Sequence, residues 1–109
     1  MARWSPLQRS VTVGASALQL SALLAAIEAN FPTRLDYLNI QFNPGSTGTN
    51  LYIGDSASVS SSNCGANLIP GGTVLYSVPD NCVILTTDIW LISTNAAQQV
   101  NICAIPAGM

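Results

Sequence analysis

The sequence predicts a mainly β protein: a single antiparallel β-sandwich, jelly-roll-like, with one N-terminal helix and an extended N-terminal arm. Short apolar runs recur about every 8 to 12 residues in the second two-thirds of the chain, as they do in sandwiches and barrels. Turn residues such as Pro70-Gly71-Gly72 separate these runs, and one earlier stretch has helical spacing instead. With 109 residues, 49% of them hydrophobic, the chain can form one domain with a modest core.

The N-terminal segment MARWSPLQR has no period and contains Pro6, so residues 1–9 are predicted to form an extended arm. Residues 10–109 are predicted to form the single β-sandwich domain. Val11 and Val13 alternate with polar neighbours, which indicates a short first strand at the beginning of this domain.

A helix is predicted at about residues 16–30. Ser16 is followed three residues later by Gln19, which fits a capping box, and Pro32 ends the pattern. Residues 17–20 also alternate, so a short strand there remains an alternative. Four apolar side chains have the spacing i, i+3, i+4 and i+7 of one helix face: Leu20, Leu23, Leu24 and Ile27.

The uncharged run from residue 10 to residue 27 is interrupted by polar side chains, among them Thr12, Ser16 and Gln19. It therefore lacks the compact apolar block of a secretory signal and the apolar length of a membrane-spanning helix. Neither a signal nor a membrane span is predicted from this run.

From Leu35 onward the apolar period changes to two, which indicates strands. The clearest strand is at 38–42, where apolar and polar residues alternate. This strand and the run at 51–53 are predicted to form a hairpin with a long loop that contains Gly45 and Gly48. Further strands are predicted at 73–78, 83–87, 89–93 and 100–105.

Charged residues make up only 7% of the chain, against about 25% in ordinary soluble domains. The sequence contains neither lysine nor histidine, so its polar surface must consist mainly of Ser, Thr, Asn and Gln. The cores of protein interfaces are depleted in charge in the same way, and we therefore expect this surface to be largely covered by partners. A net charge of −2 without a basic cluster argues against nucleic-acid binding.

The triplet Gly54-Asp55-Ser56 opens the nucleophile block of one class of serine esterases. A serine nucleophile needs a base, usually histidine and less often lysine, and this sequence has neither. Ser56 is therefore predicted to lie in a turn in which the Asp55 side chain caps backbone N–H groups, and the chain is predicted not to be an enzyme. Two carboxylate pairs that a glycosidase mechanism could use are also predicted to be structural: Asp55 with Asp80, and Asp36 with Asp88.

No cofactor or metal site is predicted. The cysteines, Cys64, Cys82 and Cys103, are odd in number and have no C-x-x-C spacing, and without histidine a zinc site would need all three thiolates and a carboxylate. They are predicted to be small buried hydrophobic residues in a reducing compartment. One disulfide, between Cys64 and Cys82, with a spare thiol is the alternative.

The candidate interface lies in the N-terminal arm. Trp90, within the apolar run at 89–93, is predicted to belong to the core, whereas Trp4 lies on the arm. An indole outside the core often anchors an interface. The alternative is that Trp4 folds back on its own domain. The candidate interface residues are Arg3, Trp4, Leu7 and Arg9.

The order of the segments resembles a known class of proteins. The strand at 38–42 is followed by LYIG at 51–54, an Asp-Ser turn, Val59, LIPGG at 68–72, DIWLIS at 88–93 and a last strand at 99–105. This order is similar to that in small structural proteins of tailed-phage particles, over roughly residues 35–105. The predicted helix at about 16–30 is not part of that pattern, which leaves the mode of attachment open.

The resemblance implies a non-enzymatic virion component, a decoration or cement protein that binds and stabilises an assembled capsid. Such proteins are similar in being small β-sandwiches, often trimeric, with an N-terminal arm that fastens to neighbours. The implied partners are the major capsid protein and copies of the chain itself, with no nucleic acid and no membrane. The implied location is the capsid surface, after synthesis in the cytoplasm of a bacterial host.

A second hypothesis is a β-sandwich that binds host carbohydrate, as at the tip of a head or tail fibre. Sugar sites usually combine an exposed aromatic platform with nearby carboxylates. Tyr52, three residues before Asp55, is the candidate for such a platform.

Overall fold

A computed structural model describes residues 7–46, 49–79, 82–95 and 97–107. Strands dominate these ranges, as the sequence predicts. The elements in chain order are β1 (Leu7–Val13), β2 (Leu18–Gln19), α1 (Leu20–Ile27), β3 (Arg34–Phe42), β4 (Leu51–Gly54), β5 (Ala66–Leu68), β6 (Thr73–Ser77), β7 (Ile84–Leu85), a 3-10 turn (Thr86–Asp88), β8 (Trp90–Ser93) and β9 (Gln98–Pro106).

The strands form two antiparallel sheets. Sheet A has the strand order β1-β9-β3-β6, and β7 pairs with the beginning of β3. Sheet B has the order β2-β8-β4-β5. The most extensive pairing joins β3 to β9, from Leu35 opposite Pro106 to Phe42 opposite Val100.

The predicted hairpin between 38–42 and 51–53 is wrong, because β3 lies in sheet A and β4 in sheet B. The end of β3 has another partner: the Phe42 amide donates to the Gly72 carbonyl (2.9 Å), and the Gly71 amide donates to the Phe42 carbonyl (2.8 Å). Gly71 has φ +86°, a conformation that glycine adopts without the penalty of a Cβ. The turn before β6 therefore occupies the position that the hairpin would have given to β4.

The predicted helix is shorter than expected, and its capping box does not form. Leu18 and Gln19 form β2 against β8, as the alternative at 17–20 allowed, and α1 begins only at Leu20. Gln19 occupies the cap position, but its side-chain amide donates to the Thr87 carbonyl (2.7 Å) rather than capping the helix. The pairing with β8 thus fixes residues that the sequence pattern assigned to the first helical turn.

The helix ends at Ile27, well before Pro32. Asn30 has φ 64°, in the left-handed region, so the chain reverses locally before the proline is reached. Leu20 and Leu24 are buried, which directs the apolar stripe of α1 toward the core of its own chain.

Residues 7–9, which the sequence assigns to the arm, form the beginning of β1. Leu7 lies opposite Ala104 and is only 4% exposed, while Arg9 lies opposite Ile102 and is exposed. Arg3 and Trp4 lie outside the described residues. The described part of the predicted arm is thus an edge strand of sheet A.

The inner faces of both sheets and the helix contribute to one hydrophobic cluster. Alternating residues of β3, from Leu38 to Phe42, are fully buried, as are residues of β4 and β8 in sheet B. Burial of each such side chain stabilises the fold by roughly 1.5–3 kcal/mol. The largest fully buried side chains are Phe42, Leu20, Leu24, Leu35, Leu38, Ile40, Leu51, Ile53 and Leu91.

The two sheets are joined on one side and separate on the other. On the joined side the chain passes from β1 to β2, and the Ser93 amide of β8 donates to the Gly14 carbonyl (2.9 Å). The Ser93 hydroxyl also donates to the Val13 carbonyl (3.2 Å). On the other side β5 and β6 are edge strands, each with one paired neighbour in the described part of the chain. A cleft of about 790 Å³, here called the edge cleft, opens on that side.

The cysteines are less buried than the sequence predicts. Cys82 is exposed, Cys64 and Cys103 are half-buried, and all three are free thiols. Cys103 lies between buried Ile102 and buried Ala104 on β9, so the alternation of the strand places it on the outer face. Strand register, rather than the apolar character of the thiol, decides its position.

In the ranges that the structure covers, no helix has both the length and the apolar character needed to cross a membrane.

The contact between Gly54 and Val59 makes a stability prediction. A Cβ on Gly54 would lie 2.7 Å from Val59 Cγ2 and 3.0 Å from Val59 Cβ, whereas a Cβ on Gly14 would meet no atom within 4 Å. We expect Gly54→Ala to lower the free energy of unfolding by about 1–3 kcal/mol, because overpacking moves β4 or the following turn. Gly14→Ala, the matched control, should change it by less than about 1 kcal/mol. Urea denaturation of both variants measures the difference, and equal stability would contradict the proposed contact.

Candidate functional site: the outer face of sheet A

The outer face of sheet A consists of the alternate side chains of four strands that point away from the core. The alternation of burial and the strand registers place them in continuous rows. Apart from the exposed Arg34 and Asp36 at the beginning of β3, these side chains carry no charge. They are Gln8, Ser10 and Thr12 of β1, Gln99, Asn101, Cys103 and Ile105 of β9, Tyr37, Asn39 and Gln41 of β3, and Thr73, Leu75 and Ser77 of β6.

A hydrogen-bonded row of side chains crosses this face. Ser10 Oγ donates to Asn101 Oδ1 (2.8 Å), and Asn101 Nδ2 donates to Gln41 Oε1 (3.0 Å). The strand registers place these residues opposite one another, so the row follows from the pairing of β1, β9 and β3. A parallel contact joins Gln99 Nε2 to Thr12 Oγ1 (3.0 Å). These bonds orient the amides, each at a net value of about 0.5–1.5 kcal/mol.

A shallow depression of about 440 Å³ lies over the same row. Gln8, Asn39 and Asn101 contribute to its lining, together with Arg9 at the edge strand. The depression therefore presents mainly amide and hydroxyl groups. Amide and hydroxyl groups both donate and accept hydrogen bonds, and neither carries a charge.

Exposed apolar side chains lie toward the end of the face nearest β7. Leu75 is 55% exposed and Ile105 37% exposed, and Ile105 lies opposite Tyr37 on the neighbouring strand. Leu75 lies diagonally across from Tyr37 on the other neighbour. Exposed apolar side chains that adjoin in this way mark interaction surfaces more often than isolated ones do.

The structure separates the candidate interface residues of the sequence. Leu7 belongs to the core and cannot reach a partner while β1 is paired, whereas Arg9 borders the depression. Arg3 and Trp4 lie outside the described residues. The amide row was missed because its members come from distant parts of the chain, although the alternation of Gln99, Asn101 and Cys103 with buried residues is visible in the sequence.

Ser56 lies in the turn after β4, where the sequence predicts one. Its hydroxyl lies 2.7 Å from the Ser58 hydroxyl and accepts the Ser58 amide (3.3 Å). The serine therefore supplies the oxygen that closes this turn, a role that the sequence prediction gave to Asp55. Asp55 instead lines the edge cleft.

The outer face of sheet B carries two aromatic side chains. Trp90, predicted to be core, is half-buried on this face, because Ile89, just before β8, and Leu91 on either side of it are buried. Trp90 lies opposite Gly54, and Tyr52 is two residues earlier on the same partner strand. Asn67, opposite Tyr52 on β5, accepts a hydrogen bond from Asn50 Nδ2 (2.9 Å).

Among the side chains that the structure describes, no three His, Cys, Asp or Glu residues converge on a common point as metal ligands would.

No protein-family model matches the chain, and neither does any curated protein or solved structure.

Burial raises the pKa of the Tyr76 phenol above its ordinary value of 10.0, because the phenolate loses solvation in the edge cleft. The folded state thus favours the protonated phenol. The stability that this preference contributes is complete below the unfolded pKa and is lost as pH rises through the raised folded pKa.

We therefore expect Tyr76→Phe to change the alkaline part of the stability profile. The free energy of unfolding of the parent should fall faster than that of the variant from about pH 10 upward, since phenylalanine has no proton to lose. Urea denaturation between about pH 8 and about pH 11 measures both profiles under the same conditions. Parallel profiles through this range would show that Tyr76 does not titrate differently in the folded state.

Proposed function

We propose that this chain is a non-enzymatic structural protein of a phage particle, which binds and stabilises the assembled capsid as a decoration or cement protein. The outer face of sheet A is the contact surface in this proposal. The observation that carries it is the uncharged middle of that face, with its oriented row of Ser10, Asn101 and Gln41 and the exposed Leu75 and Ile105.

An uncharged face suits a protein partner. Burying a charge without a partner is costly, whereas an amide that already makes one hydrogen bond keeps part of its bonding when water leaves. The cores of interfaces are depleted in lysine and acidic residues for the same reason. Asn101 enters a contact with two hydrogen bonds already made, which lowers the cost of covering it.

The size of the face sets a requirement for further contacts. Four strands at a spacing of about 4.8 Å, each contributing about five residues of 3.3 Å, have a projected area of roughly 300 Å². A specific interface buries about 800 Å² on each partner. Contacts beyond the face are therefore needed, and we propose that they come from copies of the chain, as a trimer on the capsid surface.

The proposal includes a finer description of the fold. The two sheets pack as a β-sandwich of jelly-roll type, and the segment before β1, with Arg3 and Trp4, extends as an arm to a neighbouring protein. The protein stabilises the capsid through mass action, because a ligand that binds only the assembled shell shifts the equilibrium toward that shell. The absence of histidine and lysine from the sequence supports a role without catalysis.

A charge placed on the outer face of sheet A tests the proposal. We expect the double variant Ser10→Lys, Ile105→Lys to bind shells of the major capsid protein from the same genome at least about tenfold more weakly, because each lysine must be desolvated in the contact. Ala26→Lys, on the exposed side of α1, adds the same kind of charge elsewhere and should bind like the parent. Co-sedimentation with the shells measures binding, and light scattering gives the mass of the free protein.

Equal binding by the parent and the double variant would contradict the assignment of this face. A parent that fails to bind shells would contradict the proposed function itself. Unchanged circular dichroism of both variants is the control for folding.

A second candidate function is carbohydrate binding through the outer face of sheet B, as in a head- or tail-fibre protein. Tyr52 and Trp90 adjoin on that face, and the Asn50–Asn67 amide pair lies beside Tyr52. A sugar ring can pack against aromatic side chains, and its hydroxyls can form hydrogen bonds with amides. Asp55, however, lines the edge cleft rather than this face, so the carboxylate predicted to act beside Tyr52 does not lie with the two aromatic side chains.

A glycan array separates the two candidates. If the face binds sugar, Tyr52→Ala should abolish the array signal, because the platform loses its tyrosine ring, while Tyr37→Ala on the outer face of sheet A should retain it. An array without signal for the parent would rule out the carbohydrate candidate for the glycans tested.

A further inference from the structure

The edge cleft runs along the free edge of β6. Leu75, Tyr76, Ser77 and Val78 line it in succession. Consecutive strand residues point to opposite faces of a sheet, so a cavity that contacts all of them lies beside the strand rather than above one face. The far wall is also consecutive, with Asn63, Cys64 and Gly65 leading into β5.

The backbone groups that face the cleft follow from the pairing of β3. The Asn43 amide donates to Gln99 on β9 (3.2 Å), and the Phe42 amide donates to Gly72, just before β6 (2.9 Å). Because backbone groups alternate sides along a strand, Leu38 and Ile40 also bond toward β6, where they pair with Tyr76 and Val74.

The intervening residues of β6 therefore direct their N–H and C=O groups to the opposite side. Thr73, Leu75 and Ser77 present these groups at the free edge, and Leu75 and Ser77 lie within the lining of the cleft. An antiparallel partner strand pairs with such a row of alternating donors and acceptors.

This edge lacks the features by which proteins usually protect an exposed strand. The sequence of β6, TVLYS, contains no charge and no proline, and Leu75 is the second most exposed large apolar side chain of the described residues. The opposite edge strand, β1, carries Arg9 and is joined at its end to β8 through Gly14 and Ser93. An unprotected edge beside a cleft is a site where a strand can be added.

The cleft also selects by charge. Asp55 and Asp88 both line it, and its lining contains no lysine or arginine. The floor is apolar, formed by Ile53, Ile84 and Ile89 together with the Tyr76 ring. The complement of this surface is an extended chain with alternating apolar side chains and a basic residue.

We propose that the edge cleft is the docking groove for an extended, basic segment of a partner protein, which adds to sheet A as a strand against β6. The strand is about five residues long, since β6 spans five residues. Its basic side chain lies between Asp55 and Asp88, and its apolar side chains face the floor. This site is distinct from the outer face of sheet A, so it stands whether or not the chain binds a capsid.

A pair of synthetic peptides tests the charge requirement. In the first peptide, valine and threonine alternate around a central arginine over seven residues, with acetylated and amidated ends; in the second, glutamate replaces the arginine. We expect the arginine peptide to bind at least about tenfold more tightly by calorimetry or fluorescence anisotropy. The double variant Asp55→Asn, Asp88→Asn should remove most of this preference, whereas Asp36→Asn, outside the cleft lining, should retain it.

Strand addition is tested separately from charge. The arginine peptide with N-methyl groups on alternate amides cannot pair along one edge, and we expect it to bind about tenfold more weakly or not at all. On the protein side, Leu75→Pro removes a free-edge N–H without removing a bond to β3, while Leu75→Ala keeps the N–H and loses only the side chain. Leu75→Pro should weaken binding more than Leu75→Ala does.

Alkylation of Cys64 gives an independent reading of where the peptide lies. Cys64 lines the cleft and Cys103 does not, so the peptide should slow the reaction of Cys64 with iodoacetamide and leave that of Cys103 unchanged. Absence of binding up to about 1 mM, equal affinity for both peptides, full affinity of the N-methylated peptide, or equal protection of the two thiols would each overturn the proposal. The peptide measurements hold even if a protein variant fails to fold.

Discussion

The structure depends on β3, because both backbone edges of this strand are occupied. Its odd-numbered residues from Tyr37 to Gln41 direct their side chains outward and their backbone groups to β9. Its even-numbered residues from Leu38 to Phe42 direct their side chains into the core and their backbone groups to β6. A slip of one residue would expose the core side chains and change both strand partners at once. The positions of the amide row and of the free β6 edge therefore have a common origin.

The sequence was informative where a local period decides the structure. Alternation predicted most of the strands, including β3 and β9, and the helical stripe predicted that Leu20 and Leu24 share one face of α1, which the structure turns toward the core. The partition of the strands between two sheets was not predictable in the same way, because β3 and β4 are separated by a loop that permits either a hairpin or a crossing. The sheet that each strand joins is decided by hydrogen bonds between Phe42, at the end of β3, and Gly71 and Gly72. These glycines are about thirty residues later in the sequence than Phe42.

The errors on individual side chains have a similar cause. Trp90 and Cys103 are apolar enough to be expected in the core, but each lies between two buried neighbours on a strand and is therefore outward. Gln19 fits a capping box by residue type, but it is paired with Trp90 of β8 instead. In each case the residue type was correct for the predicted environment, and the register imposed by a distant strand overrode it. The candidate site depends on those registers, which explains why its amide row could not be predicted.

The distribution of charge over the fold connects the two proposed surfaces. Around its amide row the outer face of sheet A has no charged side chain, whereas the edge cleft has two carboxylates, although the whole chain has only five acidic residues. A neutral face of amides discriminates poorly by charge, while a cleft with Asp55 and Asp88 rejects acidic segments. If both proposals hold, the two surfaces select different partners, and they meet at Leu75, whose side chain belongs to the face and whose backbone belongs to the free edge. A protein that binds two neighbours through adjoining surfaces holds them at a fixed distance, and this is the mechanical property that a structural role in an assembly requires.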